Sequence, residues 1–131
     1  GLADILVARG LYTGSAESAV EAGITRAFCP HGLGHSLGIQ VHDVAGLMQP
    51  DGTPSPAPRA HPALRLTRTL QPGMVVTIEP GLYFIPMLLA PLRKQTHPID
   101  WTLVDRLAIC GGIRIEDNIL VTDSGSDNLT L

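Results

Sequence analysis

Only four glutamates occur in the chain, and two of them, Glu79 and Glu116, fall in apolar, strand-like stretches. Glu79 follows Val75-Val76-Thr77-Ile78, a run that reads as a buried strand, where a carboxylate needs a partner. In Ile113-Arg114-Ile115-Glu116 the strand alternation puts the two isoleucines on one face. Arg114 and Glu116 then share the other face, about 7 Å apart. Three of the five histidines, His31, His35 and His42, fall within twelve residues, interleaved with Gly32, Gly34 and Gly38. Two readings stand side by side at this point. Arg114, Glu116 and Glu79 can form a buried ion-pair cluster. Alternatively, the carboxylates and a histidine supply hard oxygen and borderline nitrogen ligands for manganese, cobalt, zinc or iron.

The histidine segment strengthens the metal reading. A lone histidine is more often structural than a ligand, but three among glycines are harder to assign to packing. Glycines there let the backbone approach a bound group closely. His31 and His35 have the spacing of a helical zinc motif, but the glycines argue against a helix and the glutamate of such a motif is missing. The expected site is therefore assembled from a loop and several strands.

The elements that must position these residues follow from the pattern. Residues 2–11 place Leu2, Ile5, Leu6 and Leu11 near one helical face. Ser15 caps a second short helix with Glu17 in its first turn, and Gly23 ends it. Residues 30–46 read as turns around one short strand, Ile39–Val41. Residues 49–62 hold five of the eleven prolines and form a long exposed loop. Residues 72–85 read as a strand, a turn at Glu79-Pro80-Gly81 and a second extended piece. Residues 86–93 and 100–109 have helical spacing, and 111–122 read as one long strand, bulged at Asp117-Asn118. Helices come first and strands later, so the fold class is α+β.

Composition narrows the function classes. The length of 131 residues suits one domain. A net charge of −3 provides no electrostatic footprint for nucleic acid or an anionic membrane. No apolar run is long enough to span a bilayer, and the first residues do not have the pattern of a signal peptide. Cys29 and Cys110 are too few for a disulfide scaffold and read as buried, reduced thiols of a cytoplasmic protein. Asp43 either orients the imidazole of His42 or caps a turn. His61 and His97 read as solvated, Arg65 and Arg68 as a solvated face, and Trp101 as core or interface.

Three ordered motifs resemble the pita-bread metallopeptidases: His31-x₃-His35-x₂-Gly38-x₃-His42-Asp43, then Thr77-Ile-Glu79-Pro-Gly81, then Gly112-Ile-Arg114-Ile-Glu116-Asp-Asn118. Together with Tyr83–Arg93 and Gly111–Thr122, they are most similar to the bacterial Xaa-Pro dipeptidase (prolidase) branch. Xaa-Pro aminopeptidases, organophosphate-hydrolysing relatives and non-catalytic binding modules of the same fold are the alternatives. The resemblance implies the C-terminal half of a pita-bread fold, a curved antiparallel sheet with flanking helices. It implies that His35, Glu79 and Glu116 ligate metal, with Glu116 bridging two ions and Glu79 also accepting a proton. It further implies that His31 and His42 contact substrate and stabilise the tetrahedral intermediate, and that Arg114 meets a substrate carboxylate. The intact enzyme would hold two divalent ions, manganese first with cobalt or zinc as alternatives. It would act on Xaa-Pro dipeptides and form a homodimer.

The chain also departs from that pattern. The family uses two further aspartate ligands upstream of the first histidine motif, and only Asp4 precedes His31. The expectation is a chain lacking the N-terminal domain and the first half of the catalytic domain. Such a chain would bind at most one ion, would not turn over alone, and would self-associate or require the missing N-terminal part of the same protein.

Overall fold

The structure, a computed structural model, describes residues 1–130. Its order is five α-helices, one 3-10 turn and five short strands, which is the expected α+β class. The chain folds as two compact units. One comprises Gly1–Pro30 with Gly81–Arg114, and the other His31–Pro80 with residues 115–130.

The first unit is helical and apolar inside. α1 (Leu2–Ala8) stops where glycine permits it to. Gly10 takes φ 72°, its N–H reaches the Val7 carbonyl and the Leu11 N–H reaches that of Leu6. This left-handed stop brings Leu11 back onto Leu6, and both are buried. The buried stripe of α1 is Ala3 and Leu6, whereas Ile5, expected inward, is half exposed because it lies about 100° round the helix from Leu6 and about 200° from Ala3. α2 (Ala16–Glu21) is capped by Ser15, whose side chain accepts from the Ser18 N–H. Gly23, at φ 70°, ends α2 and starts an unanticipated third helix, α3 (Ile24–Phe28). α4 (Pro86–Arg93) and α5 (Trp101–Ala108) match their expected positions, the second capped by Asp100. Leu6, Leu11, Ile24, Phe28, Phe84, Leu89 and Val104 pack as one core, with Phe28 and Phe84 edge to face at 5.9 Å. Trp101 packs against this core under the Arg93 guanidinium. The unit also contains a two-stranded sheet in which β2 (Gly81–Tyr83) pairs antiparallel with β3 (Gly112–Arg114).

The second unit is organised on β1 (Val75–Ile78). β4 (Asp117–Val121) runs antiparallel along one edge, from Val75 opposite Leu120 to Ile78 opposite Asp117, and β5 (Ser126–Asn128) follows β4. The other edge of β1 is taken by residues 33–37. Leu37 N–H donates to Val75 O, Thr77 N–H to His35 O and Glu79 N–H to Leu33 O, at 3.0, 2.9 and 2.7 Å. The pairing segment of the glycine-rich stretch is thus 33–37. The expected strand Ile39–Val41 is instead a set of exposed bends, because β1's free edge is filled before the chain reaches it. The single long strand expected over 111–122 is broken at Ile115-Glu116 into β3 and β4, which pair with different partners.

Residues 49–62 form the expected long loop, pinned at Ser55, whose N–H donates to Leu47 O and whose carbonyl accepts from the Thr67 hydroxyl. Arg68, expected to be solvated, is half-buried and donates to the Ala45 carbonyl. Neither cysteine forms a disulfide among the described residues. Cys29 is half-buried, but Cys110, expected to be buried, is exposed on the turn after α5.

Gly34 fixes how closely the histidine segment approaches β1. A Cβ on Gly34 would lie 1.8 Å from the Thr77 carbonyl oxygen, a backbone atom that cannot step aside. Gly34→Ala is therefore expected to destabilise the second unit by about 2 kcal/mol or more. Urea denaturation monitored on this unit checks the value, and a change below about 0.5 kcal/mol would show that the pairing of residues 33–37 with β1 does not depend on this approach.

Candidate metal centre

The four buried polar side chains among the described residues are His35, Ser36, Thr77 and Glu79, and all belong to the second unit around β1. Burial of this kind is costly unless each group is hydrogen-bonded or charge-paired. Strand alternation explains part of the grouping, since Thr77 and Glu79 are two residues apart and share a face. The ladder explains the rest, since it sets His35 beside Thr77.

The contacts close into a ring. The His35 backbone N–H donates to Thr77 Oγ1 at 3.0 Å. The Thr77 hydroxyl donates to Glu79 Oε1 at 3.1 Å. Glu79 Oε1 in turn lies 3.3 Å from His35 Nε2. The other ring nitrogen of His35, Nδ1, lies 3.1 Å from the Ser36 carbonyl. A carbonyl oxygen only accepts, so that bond requires the proton on Nδ1. In the neutral ring Nε2 then presents a lone pair to a carboxylate oxygen. Two such acceptors attract only through a shared proton or cation, and together they form a nitrogen-and-oxygen pair suited to a divalent metal.

His42 lies beside this pair. Its exposed ring meets that of His35 edge to face, with centroids 4.4 Å apart. Asp43 is a cap and not an imidazole partner. Its carboxylate accepts from the Ala45 and Gln40 N–H groups, and these bonds hold it below the usual carboxylate range. The cap starts the 3-10 turn Val44–Leu47, and a Cβ on Gly38 would collide with the Asp43 carboxylate. The turn after His35 is thereby drawn tight.

The remaining predicted residues are placed differently. His31 is half-buried, its Nδ1 2.7 Å from the Gly32 carbonyl. Glu116 is exposed, in the step between β3 and β4, so it is not part of a buried ion-pair cluster. Arg114 belongs to the other unit. Its Nε donates to the Tyr83 hydroxyl at 2.6 Å, and the Tyr83 ring lies close over Gly81 and Gly112. No three His, Cys, Asp or Glu side chains converge on one point among the described residues. His35 and Glu79 are the two donor groups brought together here, and no third His, Cys, Asp or Glu side chain is gathered with them among the described residues.

Sequence reasoning missed Thr77 and Ser36. Thr77 carried a usable signal, a hydroxyl two residues before a buried glutamate on the same strand face. Ser36 carried none, since it contributes a backbone carbonyl.

Comparison with known proteins gives one consistent result. The profile of metallopeptidase family M24 matches residues 6–123. The Xaa-Pro dipeptidase of Marinobacter nauticus is 59% identical over 99% of this chain, and that of Erwinia tasmaniensis is 52% identical over 98%. The chain spans about 30% of the length of each of these two relatives. Among solved structures, aminopeptidase P from E. coli superposes on 98% of the chain with a TM-score of 0.63 and 34% identity, using 23% of that protein. The α+β architecture is shared with these pita-bread neighbours. With a family match across nine-tenths of its length, the chain belongs to metallopeptidase family M24.

Proposed function

We propose that this chain carries part of the catalytic centre of a dinuclear-metal dipeptidase that hydrolyses Xaa-Pro dipeptides. The observation that carries the reading is the buried face-to-face pair of His35 Nε2 and Glu79 Oε1, in a unit whose buried side chains are mostly polar. The relatives that cover nearly the whole chain bear the name Xaa-Pro dipeptidase at 52–59% identity, against 31–36% for the aminopeptidase P structures. The long proline-rich loop favours the same branch.

In this reading His35 and Glu79 would hold one divalent ion, and Glu116 would serve as a further metal ligand in the intact enzyme. Manganese is the first candidate, with cobalt or zinc as alternatives. When bound, the ions supply Lewis acidity toward the scissile carbonyl and make an attacking water more acidic. Glu79 accepts a proton during the attack. His31 and His42 present ring N–H groups to the oxygen on which negative charge develops, an electrostatic contribution to the reaction. Arg114 pairs with a substrate carboxylate. The intact enzyme is a cytoplasmic homodimer in this proposal. The chain alone holds at most one ion and does not turn over, since only two donors are gathered.

Three outcomes test this reading. After loading with Mn²⁺, elemental mass spectrometry is expected to find one ion per chain and not two, and Glu79→Gln to weaken its affinity by at least ~10-fold. Two tightly held ions, or vigorous cleavage of Ala-Pro by this chain, would overturn the half-site reading. Absence of any saturable binding would overturn the ligand assignment.

The second unit exposes Leu33, Ile39, Val41, Val44 and Ile115. Apolar surface on this scale promotes association. Light scattering of the purified chain is expected to show species larger than a monomer, and a monodisperse monomer with a cooperative melt would count against it.

A full-length protein containing this segment is expected to cleave Ala-Pro in preference to Ala-Pro-Ala. The opposite preference would move it to the aminopeptidase branch.

A further inference from the structure

We infer that Thr77 is a positioning residue for the metal pair, its hydroxyl fixing both the Glu79 carboxylate and the His35 backbone at once. The inference rests on the metal reading of His35 and Glu79 given above. Thr77 is fully buried in β1 between Val76 and Ile78, and packing there would be met as well by valine, which has the same shape. The hydroxyl is what distinguishes them, and a buried hydroxyl is retained at a cost unless its bonds are made.

Both bonds are made, and their direction is fixed. The His35 backbone N–H can only donate, so Thr77 Oγ1 accepts it at 3.0 Å. The single hydroxyl proton is then directed to Glu79 Oε1, at 3.1 Å. Oε1 is the same oxygen that faces His35 Nε2 at 3.3 Å. One side chain therefore connects the backbone that carries the nitrogen donor to the oxygen donor itself.

The surroundings leave Thr77 little freedom to choose otherwise. Its own N–H is bonded to the His35 carbonyl, and its carbonyl lies against Gly34. The Glu79 N–H is held by the Leu33 carbonyl at 2.7 Å. With both backbones set, the hydroxyl constrains where Oε1 of the carboxylate lies. Outer partners of this kind orient ligands and raise metal affinity.

Co²⁺ serves as the probe, because its visible absorption reports the ligand geometry. Wild type, Thr77→Val and Thr77→Ser are titrated with Co²⁺, each with its thermal melt. Thr77→Val is expected to lose ~10- to 100-fold in Co²⁺ affinity and to shift the visible band, whereas Thr77→Ser stays within about threefold of wild type. A purely structural hydroxyl would lower the melting temperature of Thr77→Val and leave Co²⁺ affinity and band unchanged below it, which would overturn the proposal. Should Thr77→Val fail to melt cooperatively, Thr77→Ala carries the same comparison against Thr77→Ser. Wild type without saturable Co²⁺ binding overturns the metal reading, and this inference with it. Saturable binding of equal affinity in wild type and Thr77→Val overturns the inference alone.

Discussion

Two acceptor atoms, His35 Nε2 and Glu79 Oε1, face each other at 3.3 Å in the buried part of the second unit. Such an arrangement does not hold itself together. Without a shared proton or cation the two lone pairs repel, and both groups lose water on burial. The surrounding structure must therefore enforce it. Enforcement comes from backbone first. Three hydrogen bonds pin residues 33–37 along β1, and Gly34 lets the two backbones come closer than any side chain would allow. The Thr77 hydroxyl and the Ser36 carbonyl then orient the two donors within that frame. A site whose geometry is fixed before its ligand arrives loses less entropy on binding, which is the physical reason to fix it.

The two units divide stability and chemistry between them. The first buries an apolar cluster from helices and β2, with Phe28, Leu6 and Ile24 almost wholly inaccessible. Among its described residues the second buries one large apolar side chain, Val76, beside its four polar ones. Hydrophobic burial alone therefore accounts poorly for the order of the second unit. Its order rests on β-ladders, caps such as Asp43 and side-chain bonds such as Thr67 to Ser55. Hydrogen bonds contribute modestly to net stability but are expensive to leave unmade, so a structure held this way is specific more than it is strong.

Local chemistry made much of this legible in the sequence. Ser15 and Gly23 are read correctly because a cap and a left-handed stop are properties of single residues. The burial of Glu79 is legible because the four strand formers before it carry the carboxylate into the interior, where it must find a partner. The segment over Ile39–Val41 is misread for a different reason. Its β-branched residues favour a strand, but a strand needs a free edge, and the edge of β1 is already occupied by Leu33-Gly34-His35-Ser36-Leu37, a segment with no β-branched residue. Which segment reaches an edge first is a tertiary fact, and propensity does not contain it. The same limit hides the break at Ile115-Glu116. The polar run Glu116-Asp117-Asn118 marks an irregularity that reads as a bulge within one strand, yet Gly112–Arg114 pairs with β2 and Asp117–Val121 with β1. The extra helix Ile24–Phe28 escapes because one glycine both ends a helix and begins the next.

That break also ranks the two glutamates. Glu79 has its N–H in a ladder, its carboxylate on a threonine hydroxyl and its side chain buried. Glu116 is exposed and follows Ile115, whose N–H is held by the Pro80 carbonyl, but it precedes the first paired residue of β4. One carboxylate is therefore preorganised by its own unit, and the other is held only through its neighbours in sequence. A ligand held by rigid elements recruits an ion with little ordering cost, whereas an exposed one must be ordered as it binds. Under the proposed metal reading, the affinity of this chain for a first ion therefore rests on His35 and Glu79. Any contribution from Glu116 depends on what further structure surrounds it.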